Sequence, residues 1–278
     1  MIDIRTEENT FELASGMRLQ YAAKGTPSPA AVVFVHGWPD SWRSFEPVLE
    51  AFTPDRYGVS VSLRGFGGSD APAFGFTPSD FASDVVELIE GLDIESAVLV
   101  GHSMGSVVSQ RVALDRPDLV AGLVLVGGFC HVEPEVGDVV WSIVAELTDP
   151  LDDAFVREFQ ASTLAAPVAP EFFEQIISES LRAPARVWRD AFDAVRAVDH
   201  RAALPMITAP TLLLWGTHDA LIPRSTQEAL MTGLPEATLT VYDGGGHSPN
   251  WEQPHRVASD LESFLDRIAP IGAPPEDG

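Results

Sequence analysis

Cysteine is nearly missing from this chain: Cys130 stands alone, so no internal disulfide can form and no thiolate metal cluster can assemble. Lysine is as scarce, with Lys24 the only one. Seventeen basic residues (Lys+Arg 17) face 41 acidic ones, a formal net charge of −24 at pH 7. Such a field repels phosphate backbones and sets nucleic acid aside as a partner. No apolar run approaches the roughly 20 residues that a membrane-spanning helix needs, so no membrane partner is expected. Met1 to Thr10 lacks the basic start and apolar stretch of a secretory signal, and a soluble, cytoplasmic protein is the expectation. Tyrosine is sparse too: Tyr21, Tyr57 and Tyr242 are the full set, and none falls in the segment 129–204.

The chain does hold apolar material for a large core, 45% of 278 residues. Phe11–Leu13 and Met17–Ala23 read as two short strands around a Ser15-Gly16 turn, an antiparallel edge to the strands beyond them. Ala31–Val35, Tyr57–Leu63, Ser96–Val100, Leu119–Val126, Thr211–Gly216 and Thr238–Tyr242 are further strand candidates. Several are continuous apolar runs, as expected of parallel strands covered by helices on both faces. Helical patterns alternate with them at 43–52, from Thr77-Pro78 onward, at 106–116, 224–232 and 254–268. The fold class is therefore α/β, a mostly parallel central sheet flanked by helices.

Alternation stops in the middle of the chain. Val136–Leu147, Asp152–Ser162, Ala169–Arg182 and Pro184–Val198 read as four successive helices, punctuated by Pro150, Pro167, Pro170 and Pro184. Such an insertion reads as a helical cap over the C-terminal edge of the sheet. The expected division is a core of residues 1–128 and 205–270, a cap of 129–204 and a disordered tail of 271–278.

Gly101-His102-Ser103-Met104-Gly105 fits Gly-x-Ser-x-Gly between a strand and a helix, the context of a nucleophile elbow. There a sharp turn lifts the serine hydroxyl above the sheet, and flanking glycines avoid collisions with neighbouring backbone. Serine is a weak nucleophile unless a base takes its proton, so an acid and a histidine are expected farther along, in that order. Asp219 follows the strand at 211–216, and His247 follows the last strand. Three polar groups at the C-terminal ends of parallel strands share one edge of the sheet, where open α/β sheets bind ligands. His36 and His102 read as turn residues that hydrogen-bond nearby backbone. Asp40 reads as a helix-start residue on a loop at the ligand-binding edge.

Five landmarks in order, His36-Gly37-Trp38-Pro39, Arg64 to Ser69, Gly101 to Gly105, Gly216 to Asp219 and His247 with Glu252 and Pro254, resemble the α/β-hydrolase superfamily over residues 11–268. The resemblance implies a Ser103–His247–Asp219 triad and an oxyanion hole made by the backbone N–H groups of Trp38 and Met104. It implies no metal or organic cofactor. The His36 to Trp42 loop is similar to that of epoxide hydrolases, but these carry an aspartate on the elbow and tyrosines in the lid. Dehalogenases of this fold likewise use a carboxylate. Ser103 therefore favours an esterase or lactonase acting on a medium-sized, largely apolar ester or lactone, with Trp38, Trp141 and Trp188 as candidate substrate contacts. Relatives with the same triad also include perhydrolases, carbon–carbon bond hydrolases, cofactor-independent oxygenases and slow-turnover small-molecule receptors. A receptor would favour a large exposed apolar patch on the lid.

Overall fold

The backbone alternates between strands whose two faces are both buried and helices that bury one stripe, which produces a single eight-stranded sheet in the order β1-β2-β4-β3-β5-β6-β7-β8. The computed structural model describes residues 6–53 and 55–268. The expected tail at 271–278 lies outside the described residues.

Strands β1 (Glu7–Glu12) and β2 (Arg18–Lys24) form the antiparallel edge read from the sequence. They are followed by β3 (Ala30–Val35), a 3-10 turn at Trp42–Phe45, α1 (Glu46–Ala51) and β4 (Tyr57–Val61), which pairs antiparallel with β2 and parallel with β3. Helix α2 (Pro78–Gly91) opens with a reciprocal capping box between Thr77 and Asp80, which satisfies two first-turn donors. Next come β5 (Ser96–His102), α3 (Met104–Asp115) and β6 (Val120–Val126).

Four helices then follow without a strand: α4 (Pro134–Val144), α5 (Asp153–Ser162), α6 (Pro170–Arg182) and α7 (Ala185–Arg196). They form the inserted helical cap. The chain returns through β7 (Thr211–Gly216), α8 (Arg224–Gly233), β8 (Ala237–Tyr242), a short α9 (Pro249–Glu252) and α10 (Pro254–Leu265). All pairings among β3, β4, β5, β6, β7 and β8 are parallel.

Alternation along each central strand explains the two-sided core. Val33, Val35, Leu99, Leu123 and Leu213 pack with α2 and α3 on one face, whereas Val32, Phe34, Val98, Val124 and Leu212 pack with α1 and α10 on the other. Strand β3 lies between β4 and β5, so the chain runs to opposite sides after it. The loops that follow β3 and β5 meet at this switch point, the place where open α/β sheets form ligand crevices.

His36, at the end of β3, locks the switch point. Its Nε2 accepts from the Leu63 N–H at 3.0 Å, so the proton sits on Nδ1, which donates to the Gly37 carbonyl at 2.7 Å. Complete burial pushes its pKa down to about 4 from 6.5.

Both features of the switch point can be tested by substitution. A Cβ on Gly105 would lie inside van der Waals contact of the Val35 carbonyl oxygen, so Gly105→Ala forces β3 and α3 apart. A loss of about 1–3 kcal/mol is expected, read as a lower urea midpoint at unchanged m-value. Between pH 6.5 and 4 the unfolded chain holds a His36 proton that the folded chain excludes. Its contribution is therefore complete above pH 6.5 and is lost as the pH falls toward 4, on the order of 3 kcal/mol. His36→Gln should flatten that part of the urea-midpoint-versus-pH curve.

Candidate active site

The turn from β5 into α3 holds Ser103 in a left-handed backbone conformation, φ 50° and ψ −117°. For a non-glycine residue this conformation is strained, and such strain collects at functional sites. It lifts the serine out of the strand's line and turns its side chain into the crevice, while Met104 begins the helix behind it. The Met104 N–H belongs to the first helical turn, whose donors have no acceptor within the helix.

Asp219 and His247 come from the loops after β7 and β8. Asp219 Oδ1 accepts from the backbone N–H groups of Leu221 at 2.9 Å and Ile222 at 2.8 Å, which fixes the carboxylate. Its Oδ2 lies 2.8 Å from His247 Nδ1, with both side chains almost entirely buried. A carboxylate accepts, so Nδ1 carries the proton and Nε2 presents a lone pair. Ser103 and His247 line the same cavity. The four-residue neighbour Asp243 instead faces Thr217 Oγ1 at 3.4 Å.

The cap helps to set His247 in place. The His247 N–H donates to the Thr163 carbonyl, just past α5, at 2.8 Å, and the His247 carbonyl accepts from His102 Nε2 at 3.1 Å. Glu252 ties the same two regions together: one oxygen accepts from the Ala165 and Ala166 N–H groups, the other from Gly246 N–H at 2.8 Å. Gly127, φ 52°, follows β6 and leaves room for the imidazole; a Cβ there would meet the His247 carbonyl at 2.8 Å and its ring at 3.0 Å. Arg64 is structural, pairing with Asp84 through Nε at 2.6 Å.

The cavity above Ser103 holds about 120 Å³. Phe129, Val132, Val140, Phe159, Phe192 and Trp251 supply much of its wall, with Asp40, His102 and Gln160 as polar interruptions. It is smaller than the medium-sized substrate expected from the sequence requires. Of the three tryptophans expected at the substrate, Trp38 lines the cavity, and its ring is held 4.9 Å from Trp188, 5.1 Å from Phe159 and 5.1 Å from Phe192. Trp188 does not line it: the side chain is fully buried behind Trp38 and donates to the Ser180 carbonyl at 3.2 Å. Trp141 is likewise outside the wall, half-buried beneath the Arg196 guanidinium, which lies 4.8 Å from its ring centroid. Phe159 of α5 and Phe192 of α7, rather than Trp141 and Trp188, are the cap aromatics that line the cavity.

His131 sits at the cap's entrance, paired to Glu133 at 2.8 Å and away from this cavity. Among the described residues no group of three His, Cys, Asp or Glu side chains is placed to hold a metal ion. No described helix is long and apolar enough to cross a membrane.

A family model described as alpha/beta hydrolase fold matches residues 30–254. The curated protein "Putative carbamate hydrolase RutD" from Variovorax paradoxus is 30% identical over 265 residues, 93% of this chain and 100% of its own length. Epoxide hydrolase 4 from Mus musculus is 25% identical over 291 residues, covering 90% of this chain and 77% of that protein. The crystal structure of esterase RhEst1 from Rhodococcus sp. ECU1013 has a TM-score of 0.83 at 26% identity, over 94% of this chain and 99% of that one. The switch-point crevice, the strained serine and the cap over them accord with these similarities, and the chain belongs to the alpha/beta hydrolase fold family.

Proposed function

We propose that the protein hydrolyses small carboxylic esters or lactones through a Ser103–His247–Asp219 triad and an acyl-enzyme. The observation that carries this reading is the left-handed Ser103 facing the same cavity as an imidazole whose Nδ1 is held 2.8 Å from Asp219. Ser103 Oγ attacks the carbonyl carbon, and His247 Nε2 takes its proton and delivers it to the departing alkoxide. Water, activated by the same nitrogen, then releases the acid. Asp219 holds the imidazole tautomer and stabilises its charged form. The N–H groups of Met104 and Trp38 receive the oxyanion, each contributing about 3 kcal/mol to the transition state.

The elbow serine and the tyrosine-free wall speak against epoxide opening, for which a carboxylate nucleophile and lid tyrosines would be needed. Tyr21, Tyr57 and Tyr242 all lie in strands of the sheet. A carbamate carries the same kind of reactive carbonyl, and the relative named for carbamate hydrolysis keeps that variant of the acyl chemistry in view. A second reading, a receptor with slow turnover, draws support from α4, which exposes Val136, Val139 and Ile143 on the cap.

A panel of p-nitrophenyl esters of increasing acyl length, with several lactones, separates the readings. Multiple turnover should peak at short acyl chains, as the small cavity requires. Ser103→Ala should reduce kcat at least roughly 10³-fold without changing the fold. Single turnover in the wild type would favour the receptor, and activity retained in Ser103→Ala would overturn the triad.

A further inference from the structure

One carboxylate interrupts the apolar wall. Asp40 is only 2% exposed, and neither lysine nor arginine lines the cavity to neutralise it. Burying an unpaired carboxylate is expensive, and the donors around it are arranged to keep it an acceptor. Trp251 Nε1 donates to Ser44 Oγ at 2.9 Å, which leaves the Ser44 proton for Asp40 Oδ2 at 3.1 Å. From the cap, Gln160 Nε2 donates to Asp40 Oδ1 at 2.9 Å and to Ser180 Oγ at 2.9 Å. Ser180 gives its own proton to the Ile176 carbonyl at 2.8 Å, so it can only accept, and the amide of Gln160 is fixed with its nitrogen toward Asp40.

These two donors leave further lone pairs on the carboxylate, since an ionised aspartate offers about four acceptor positions. A second unfilled acceptor lies beside it. His102 Nε2 donates to the His247 carbonyl at 3.1 Å, and its buried Nδ1 has no partner, 3.8 Å from Asp40 Oδ2. Burial also holds His102 below the usual histidine range, keeping the ring neutral and Nδ1 unprotonated. Asp40 and His102 thus bring two unfilled acceptors 3.8 Å apart into the lining of the apolar cavity that Ser103 also lines, and no lysine or arginine joins that lining, in a protein of net charge −24. A ligand with several N–H donors and a positive charge completes that arrangement.

We propose that Asp40 is a specificity-determining residue that selects small acyl substrates bearing a primary ammonium group. The proposal rests on the reading of Ser103 as the nucleophile, and it deepens that reading by naming a substrate class. It excludes substrates with a second carboxylate, which Asp40 would repel. Charge-assisted hydrogen bonds are the strong ones, so the selection should be large.

The test compares β-alanine methyl ester with methyl butanoate, in which a methyl group replaces the ammonium. Asp40→Asn preserves size and is read against the wild type, so that the esters' different intrinsic reactivities cancel. The expected result is that Asp40→Asn lowers the kcat/KM ratio of amino ester to apolar ester by about tenfold or more. The wild-type preference should also fade as the pH rises past the pKa of the amine. A ratio unchanged within about twofold, with both esters slowed alike, would overturn the proposal and leave Asp40 a role common to every substrate. Calorimetric titration of the Ser103→Ala protein with the same two esters reads selection without turnover. Tighter binding of the amino ester, abolished by adding Asp40→Asn, supports the proposal even if no ester is hydrolysed; equal binding overturns it even if both are.

Discussion

The backbone of Ser103 is the constraint on which the rest of the structure depends. A left-handed residue between a strand and a helix is costly, and it persists only where its surroundings leave no alternative. Here β5 is buried on both faces and α3 packs against β3 with no side chain on Gly105 to separate them. The sheet and helix are each fixed by core burial, and the turn between them absorbs the mismatch in direction. Raising one hydroxyl above the sheet is the result, at the switch point where the loops after β3 and β5 converge.

Asp219 and His247, at the same edge of the sheet, are held by different means. Asp219 is fixed by two backbone N–H groups of its own loop. His247 is fixed from three sides, by the Asp219 carboxylate, by the Thr163 carbonyl of the cap and by His102. The cap is therefore more than a roof over the cavity. It shares a backbone hydrogen bond with the loop that carries His247, and Glu252 joins the two again at 2.8 Å from Gly246 N–H. Displacing α5 should disturb the imidazole as well as the substrate wall.

Much of this was legible in the sequence, for identifiable reasons. Two-sided burial writes continuous apolar runs such as Ala31–Val35, and prolines mark the boundaries of the cap helices. The elbow motif, with Asp219 and His247 after later strands, points to one edge of the sheet, where the structure brings these residues together. The cavity wall was not legible. Periodicity gives the inner face of a helix but not whether that face meets a cavity or another side chain, so Trp188 and Phe192 on α7 looked alike. Thr163 acts through its carbonyl, which every residue type possesses. Asp40 reads as a helix-start residue on a loop at the ligand-binding edge; Ser41 caps the turn, 3.3 Å from Arg43 N, and Asp40 lines the cavity, a placement that its residue type alone does not decide. Gly127 reads as loop, because the ring it accommodates is far away in the chain.

The central claim is that His247, oriented by Asp219, activates Ser103. Covalent labelling with an organophosphonate ester, followed by intact-mass and peptide mass spectrometry, tests it directly, because the reagent captures an activated serine whatever the natural substrate. The account predicts one adduct per chain, located on Ser103, formed rapidly in the wild type and at least roughly 10³-fold more slowly in Asp219→Asn. An unlabelled protein, an adduct on another residue, or labelling indifferent to Asp219 would contradict it.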